Sequence, residues 1–492
     1  MKSRLTLLLI FAAAAAQALE FSVTFPAGRL QAPFNGRVVV YLSTGRSEPR
    51  LGPDWFNPQP MYSTTFKHVG SGDPMVIGER AVAFPTTLHK LKEGEYTIQA
   101  VVDLNLGGRS IGTSPGNLYS APQRVFLKPT TGQVVKISCE KVAEDARFQD
   151  TDMARAARFQ SKHLSTFYER PTIMRAAVIL PETWKATSAQ KYPVIYSIPG
   201  FGGSFLDYSA STSRAGTVRD GEEFIYVVLD PNCPTGHHVF ADSANNGPWG
   251  KALTTEFIPF IEQKYRGIGK SESRFVTGHS SGGWSSLWLQ VTYPDIFNGC
   301  WSTSPDPVDF RDFQMIDIYK HDQNMFVDGK GRPRPLARFG DQPAIFMKQF
   351  SDMERPIRGE QLGSFEAVFS PRGADKQPGQ LWNRDTGAIN NDVALAWQKH
   401  DVGLILRKNW AVLEPKLRGK IHVYMGNMDT FYLDGAVRLL QKDLKALGAD
   451  ASVEMFPGDH GSVLTTQLRD RIDREMAARY KAAAGATVGR RL

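Results

Sequence analysis

The chain has 492 residues, of which 41% are hydrophobic, 11% aromatic and 22% charged. That composition supplies two or three domains with sizeable cores and excludes disordered and collagen-like classes. Three cysteines exclude a disulfide scaffold, and the formal charge of +8 has no basic run beyond Arg490-Arg491, so it reads as solubility and not as a nucleic-acid footprint.

In chain order, Lys2 and Arg4 make a basic start, Leu5–Ala16 is apolar, and Ala16-Gln17-Ala18 is a small-x-small cleavage site. Residues 1–18 therefore read as a secretory signal peptide, too short for a spanning helix, which needs about 20 apolar residues. Its removal lowers the net charge to +6, because Lys2 and Arg4 leave and no acid does. A periplasmic or extracellular location is expected. No later segment is long and apolar enough for stable membrane insertion. Export would let a disulfide persist. Of Cys139, Cys233 and Cys300, the last two are the expected pair, since both fall near the C-terminal ends of expected sheet strands.

Residues 19–140 read as all-β. Val38–Leu42, Tyr96–Val102, Arg124–Leu127 and Val134–Ile137 are short runs of β-branched and aromatic residues separated by Gly, Pro, Ser and Asn. The pattern fits an immunoglobulin-like sandwich. Residues 141–160 read as a connector, helical in composition. Residues 161–492 form the expected catalytic domain. Leu164–Tyr168 and Thr172–Leu180 read as its first strands, followed by Tyr192–Ile198, Phe224–Leu229, Arg274–Thr277, Ile421–Met425 and Val453–Phe456. Helical patterns at Thr255–Lys264 and Gly435–Leu447 alternate with them, which predicts a parallel sheet covered on both faces. Residues 311–410 break the alternation and read as a cap-like insertion.

Gly278-His279-Ser280-Ser281-Gly282 matches G-x-S-x-G between a short strand and an apolar helical spacing (Trp284, Leu287, Trp288, Val291). Strand, sharp turn, helix is the setting in which this motif exposes a nucleophilic serine above a sheet. Gly112-Thr113-Ser114-Pro115-Gly116 matches too, but Pro115 lacks the N–H that must serve as oxyanion donor, so it reads as a turn.

The strand ending at Ile198 runs into Pro199-Gly200-Phe201-Gly202-Gly203. The Phe201 N–H is the expected second oxyanion donor beside the Ser281 N–H, and Gly202 lets the backbone approach the substrate. A serine hydroxyl needs a base. Of ten histidines, His460 follows the last expected strand, where a base can reach back over the sheet. His68 and His89 lie in the β region, His321 and His400 in the insertion, His422 in mid-strand, and His279 inside the turn with its ring directed away from the hydroxyl. His237 and His238 are expected to line the cleft. Asp429, just past the strand at Ile421, is the expected acid, with Asp434 as the rival. Ser, then Asp, then His is the chain order of an α/β-hydrolase.

These residues resemble a known group. Pro193–Gly203, the Gly278–Gly283 turn, the segment Trp249–Tyr265 and the Asp429 and His460 positions are similar to the esterase D and enterochelin-esterase-like family. The resemblance covers roughly residues 161–310 and 415–480. It implies an α/β-hydrolase fold preceded here by the β domain, a serine triad, no cofactor, no metal, and an ester substrate, with carbohydrate-linked and siderophore-like esters among those the family takes. The sequence departs from the pattern in the loop Pro199-Gly200-Phe201-Gly202-Gly203, where family members usually have His-Gly, and in its long insertion. The expected activity is serine-dependent hydrolysis of carboxylic esters. The rival readings are a serine peptidase of the same fold and a non-catalytic glycan- or surface-binding protein with a hydrolase-like fold. No nucleic-acid partner is expected.

Overall fold

The computed structural model describes residues 18–30 and 33–489, so the signal segment and Arg490-Arg491 lie outside the described residues, apart from Ala18. The chain forms two compact units. One comprises the residues through Leu106, Ile111–Glu144 and Arg355–Ile357. In it, strand Phe34–Ser43 pairs antiparallel with Met61–Val69 on one side and Gly94–Asp103 on the other, setting Val40 opposite both Tyr62 and Ala100. Its alternate residues Val38, Val40 and Leu42 enter a core with Ile98 and Val102, closed by Phe21 and Val23 of a three-stranded sheet. Each such side chain contributes about 1.5–3 kcal/mol by leaving water. Pro115 and Ser114 lie in a turn, with Ser114 buried and its carbonyl accepting the Asn117 N–H.

The other unit comprises Gly107–Ser110, Asp145–Glu354 and Arg358 onward. Its eight-stranded sheet runs in the order Ala154–Gln160, Ile173–Ile179, Ile225–Leu229, Val194–Ile198, Arg274–His279, Cys300–Thr303, Ile421–Gly426, Ser452–Phe456. The last six strands are parallel, and the first two form an antiparallel edge. On one face Ile195, Phe275, Trp301 and Tyr424 pack against Leu468, Ile472 and Met476 of the helix Thr466–Gly489. The helix Ser281–Thr292 packs on the strands it follows and is buried along nearly its whole length.

Three expectations give way here. Leu164–Tyr168 is helical, within Lys162–Tyr168. The Ser161 hydroxyl caps it by accepting the Leu164 N–H, which outweighs the β-like composition of Ser-Thr-Phe-Tyr. Ala154–Gln160, inside the expected helical connector, is the edge strand, because pairing with Ile173–Ile179 satisfies its backbone. Cys233 and Cys300 are free and buried, as is Cys139. Cys300 opens its strand instead of closing it, whereas Cys233 lies beyond the C-terminal end of Ile225–Leu229, so the two thiols belong to opposite ends of the sheet.

The stretch after Cys300–Thr303 carries its own elements. A hairpin (Pro335–Phe339, Gln342–Phe346) and helices Met347–Glu354, Gln361–Phe369, Asn391–Ala396 and Val402–Leu417 surround an aromatic cluster. In it Phe369 lies 5.2 Å from Trp284, on the helix that follows Ser280.

Candidate active site

Ser280 sits where strand Arg274–His279 turns into helix Ser281–Thr292, with φ 59° and ψ −124°. A non-glycine residue there is strained and persists only where its surroundings fix it. They do: the Ser280 N–H donates to Thr303 O (3.0 Å), and its carbonyl accepts the N–H groups of Trp284 (3.0 Å) and Asp306 (3.2 Å). Glycine is obligatory beside it. A Cβ on Gly282 would stand 1.9 Å from the Ile198 carbonyl oxygen. Gly200 brings the loop after Val194–Ile198 over the serine, since a Cβ there would lie 3.3 Å from Ser280 Cβ and 4.0 Å from its Oγ. Ser281 is the first helical residue, where an N–H has no carbonyl one turn back to bond.

The loops after strands Ile421–Gly426 and Ser452–Phe456 supply a hydrogen-bonded carboxylate and imidazole. His460 Nδ1 lies 2.6 Å from Asp429 Oδ2 across 31 residues of chain. Asp429 is fully buried, and its Oδ1 accepts the Phe431 N–H (2.8 Å), which fixes the carboxylate. Burial alone would lower the His460 pKa; the hydrogen bond and charge of Asp429, with Asp306 and Asp459 behind it, outweigh that and hold it above its ordinary value. Asp434 begins the next helix and meets Arg338 and Arg438 instead. The His460 ring lies 4.8 Å from that of His279, the residue before the serine, and its carbonyl accepts the Ser304 hydroxyl (3.3 Å). His279 bonds Thr303 Oγ1 through Nδ1, and burial, with the charge of His460, lowers it to about 4, so it packs as a neutral ring. Ser280, His460 and Asp429 thus gather at one sheet edge, with no direct Ser280–His460 hydrogen bond among the described residues. Such bonds are often long before substrate binds.

His237 and His238 do not line the cleft as the sequence position suggested. Both are buried. His237 accepts the Val239 N–H at Nδ1 and therefore carries its proton on Nε2, 2.9 Å from the Pro199 carbonyl. It holds the loop of Phe201 and Gly202 from behind. His238 is stacked on Trp249 with ring centroids 3.7 Å apart. Burial presses both below the ordinary histidine range. The fold closes over both rings, and His237 reaches the site's loop only through the Pro199 carbonyl.

Sequence reasoning missed four contributors. Arg109 lies over the Phe201 ring, 4.7 Å from its centroid. Arg338, from the hairpin, donates to the carbonyls of Asp429 (Nε, 2.9 Å) and Thr430 (backbone N–H, 2.8 Å), bracing the acid loop. Asp306 and Gln361 bond the Ser281 hydroxyl. Only Asp306 had a signal to give, since it follows the strand after the serine at the sheet edge where ligands bind in open α/β folds. Among the described residues no cluster of three or more His, Cys, Asp or Glu could hold a metal ion, and no helix is long and apolar enough to cross a membrane.

The model of the Esterase family, described as putative esterase, matches residues 170–461. Two curated relatives from Mycobacterium tuberculosis, Esterase MT1326 (strain CDC 1551 / Oshkosh) and Esterase Rv1288 (strain ATCC 25618 / H37Rv), are each 24% identical over 271 residues, 54% of this chain. The chain spans about half the length of these relatives, 56% of each. Among solved structures, a ferulic acid esterase is similar with TM-score 0.40 and 15% identity over 67% of this chain and 99% of that one. The fluorophosphonate-binding serine hydrolase FphF of Staphylococcus aureus gives 0.41 and 15% over 66% and 97%. An S-formylglutathione hydrolase from Agrobacterium tumefaciens gives 0.39 and 15% over 68% and 98%.

Proposed function

Since the chain belongs to the putative esterase family, we propose that it is a serine hydrolase of carboxylic esters, an α/β-hydrolase with an immunoglobulin-like β domain, exported by residues 1–18 to the periplasm or cell exterior. Ser280 attacks the ester carbonyl as His460 takes its proton. Asp429 keeps the imidazole in one tautomer and stabilises its charged form. The N–H groups of Phe201 and Ser281 receive the oxyanion, a contribution of about 3 kcal/mol for each donor. His460 then protonates the leaving alcohol. Water, deprotonated by the same imidazole, releases the acyl group and restores Ser280. Every step uses groups of this chain. Carbohydrate-linked and siderophore-like esters are the first substrates to try.

The observation that supports this most is the pairing of His460 with a fully buried Asp429 beside a serine held at φ 59° under a glycine loop. A buried carboxylate facing an imidazole is costly unless the two work as a unit. A fluorophosphonate probe tests the reading. Wild type is expected to label covalently and Ser280→Ala to lose both labelling and ester turnover, the latter by about 10⁴-fold or more. An unlabelled wild type that turns over no ester would remove the proposal, and turnover of peptides without esters would move it to peptidases.

A further inference from the structure

Asp306 lies three residues past strand Cys300–Thr303 and is 5% exposed. It grips the serine turn twice. Its backbone N–H donates to the Ser280 carbonyl (3.2 Å). Its carboxylate Oδ2 accepts the hydroxyl of Ser281 at 2.5 Å. The same oxygen accepts the side-chain N–H of Gln361 (3.2 Å), which also donates to Ser281 Oγ (3.3 Å). Gln361 is the first residue of the insertion helix Gln361–Phe369. The packing leaves no slack, because a Cβ on Gly283 would stand 2.6 Å from the Thr303 carbonyl oxygen and 3.1 Å from Pro305 Cα.

A buried carboxylate is expensive to keep. Burial pushes this one up to about 6, opposed by the Ser281 hydroxyl and by His460. What it holds explains its presence. Ser281 shares its peptide group with Ser280, so the direction of the Ser281 N–H follows from how that peptide plane is fixed. Asp306 fixes the plane from both sides, by the Ser280 carbonyl and by the Ser281 side chain. A donor already aimed when charge develops on the substrate oxygen needs no reorganisation, and the benefit falls on the transition state more than on the bound ester.

We propose that Asp306, completed by Gln361 of the insertion, is a positioning residue that aims the Ser281 N–H as an oxyanion donor through the Ser281 side chain. This rests on the serine-esterase reading above. Asp306→Ala is expected to lower kcat about 30-fold while KM stays within twofold. Asp306→Asn, which keeps an acceptor oxygen, should recover most of that loss. Ser281→Ala, which keeps the N–H but not the hydroxyl, should match Asp306→Ala, and the double variant should be no worse than either alone. A folded Asp306→Ala with kcat within threefold of wild type, or a change in KM without one in kcat, overturns the proposal. If Asp306→Ala does not fold, Ser281→Ala and Gln361→Ala decide: falls of about 30-fold and threefold in kcat support it, and wild-type kcat in both overturns it. A wild type that labels at Ser280 but hydrolyses no ester defeats the esterase reading alone, and variant labelling rates then stand in for kcat with the same expected order.

Discussion

At the N-terminal ends of strands Val194–Ile198 and Arg274–His279 lies an open cavity of about 790 Å³, lined by Trp184, Lys191, Glu262, Arg266 and Arg274 among others. At the C-terminal ends of the same strands lie Gly200 and Ser280. The first end has room and charge, yet its charge is spent on structure. Arg274 donates to Glu262 through Nε (2.6 Å) and Nη2 (2.8 Å), and the Tyr196 hydroxyl adds a third bond to that carboxylate (3.3 Å). The second end has a serine in a strained conformation and two buried carboxylates that meet an imidazole and a hydroxyl instead of an arginine. The contrast teaches that a site is marked by groups left poised and not by the volume of a hollow.

One pair of substitutions would break that contrast or sharpen it. Asp429→Asn should lower kcat about 10³–10⁴-fold, because the imidazole loses its orienting charge, with little change in Tm. Glu262→Gln at the other end should leave kcat untouched and cost about 3 kcal/mol of stability, since it strands the half-buried Arg274 guanidinium beside Tyr196. Ester kinetics and thermal unfolding read the two effects separately. A large kcat loss in Glu262→Gln would show that the two ends are not functionally distinct. Arg338→Ala should have a smaller effect, about fivefold in kcat, because it frees the Asp429 carbonyl, while the backbone N–H of residue 338 still holds the Thr430 carbonyl and the Asp429–His460 bond stays in place. No change in a stopped assay of that variant would place the brace outside the site.

The legible part of this molecule was the part whose signals are local. The turn at Ser280 announces itself by glycines that only a tight strand-to-helix crossing needs, and the parallel strands by unbroken apolar runs that burial on both faces demands. Asp429 and His460 are singled out by position after strands, a topological cue, and the structure pairs the two side chains. Asp306 offered only its position after a strand, and Gln361 carries no pattern, because its meaning depends on a contact made across 55 residues of chain. Lys162–Tyr168 and Ala154–Gln160 were misread for a related reason. A cap supplied by Ser161 and a partner strand at Ile173–Ile179 decide those segments, and composition does not record either. His237 and His238 were placed near the site but on the wrong side of its wall, since sequence gives proximity along the chain and not which way a ring turns.

The gentlest test of the contrast uses pH. His460 is held above the ordinary histidine value: burial pulls it down, and Asp429, then Asp306 and Asp459, more than offset that. As the proposed base it must be neutral, so the rising limb of kcat/KM is expected above about pH 6.5. Asp429→Asn should move the limb of its residual activity to lower pH, and Asp306→Asn should move it the same way by less. The linkage to stability has the opposite sign. A group whose folded pKa exceeds its unfolded value adds stability that is complete below the unfolded pKa and lost as pH rises through the folded one. Across that window the wild type should therefore gain activity while this contribution to Tm declines, and Asp429→Asn should lose both trends together. Paired rate and melting profiles from about pH 5 to about pH 9 check this. A wild-type limb at or below the ordinary histidine value would mean that the Asp429 carboxylate does not govern the base, and the poised end of the sheet would then differ from the structural end in strain alone.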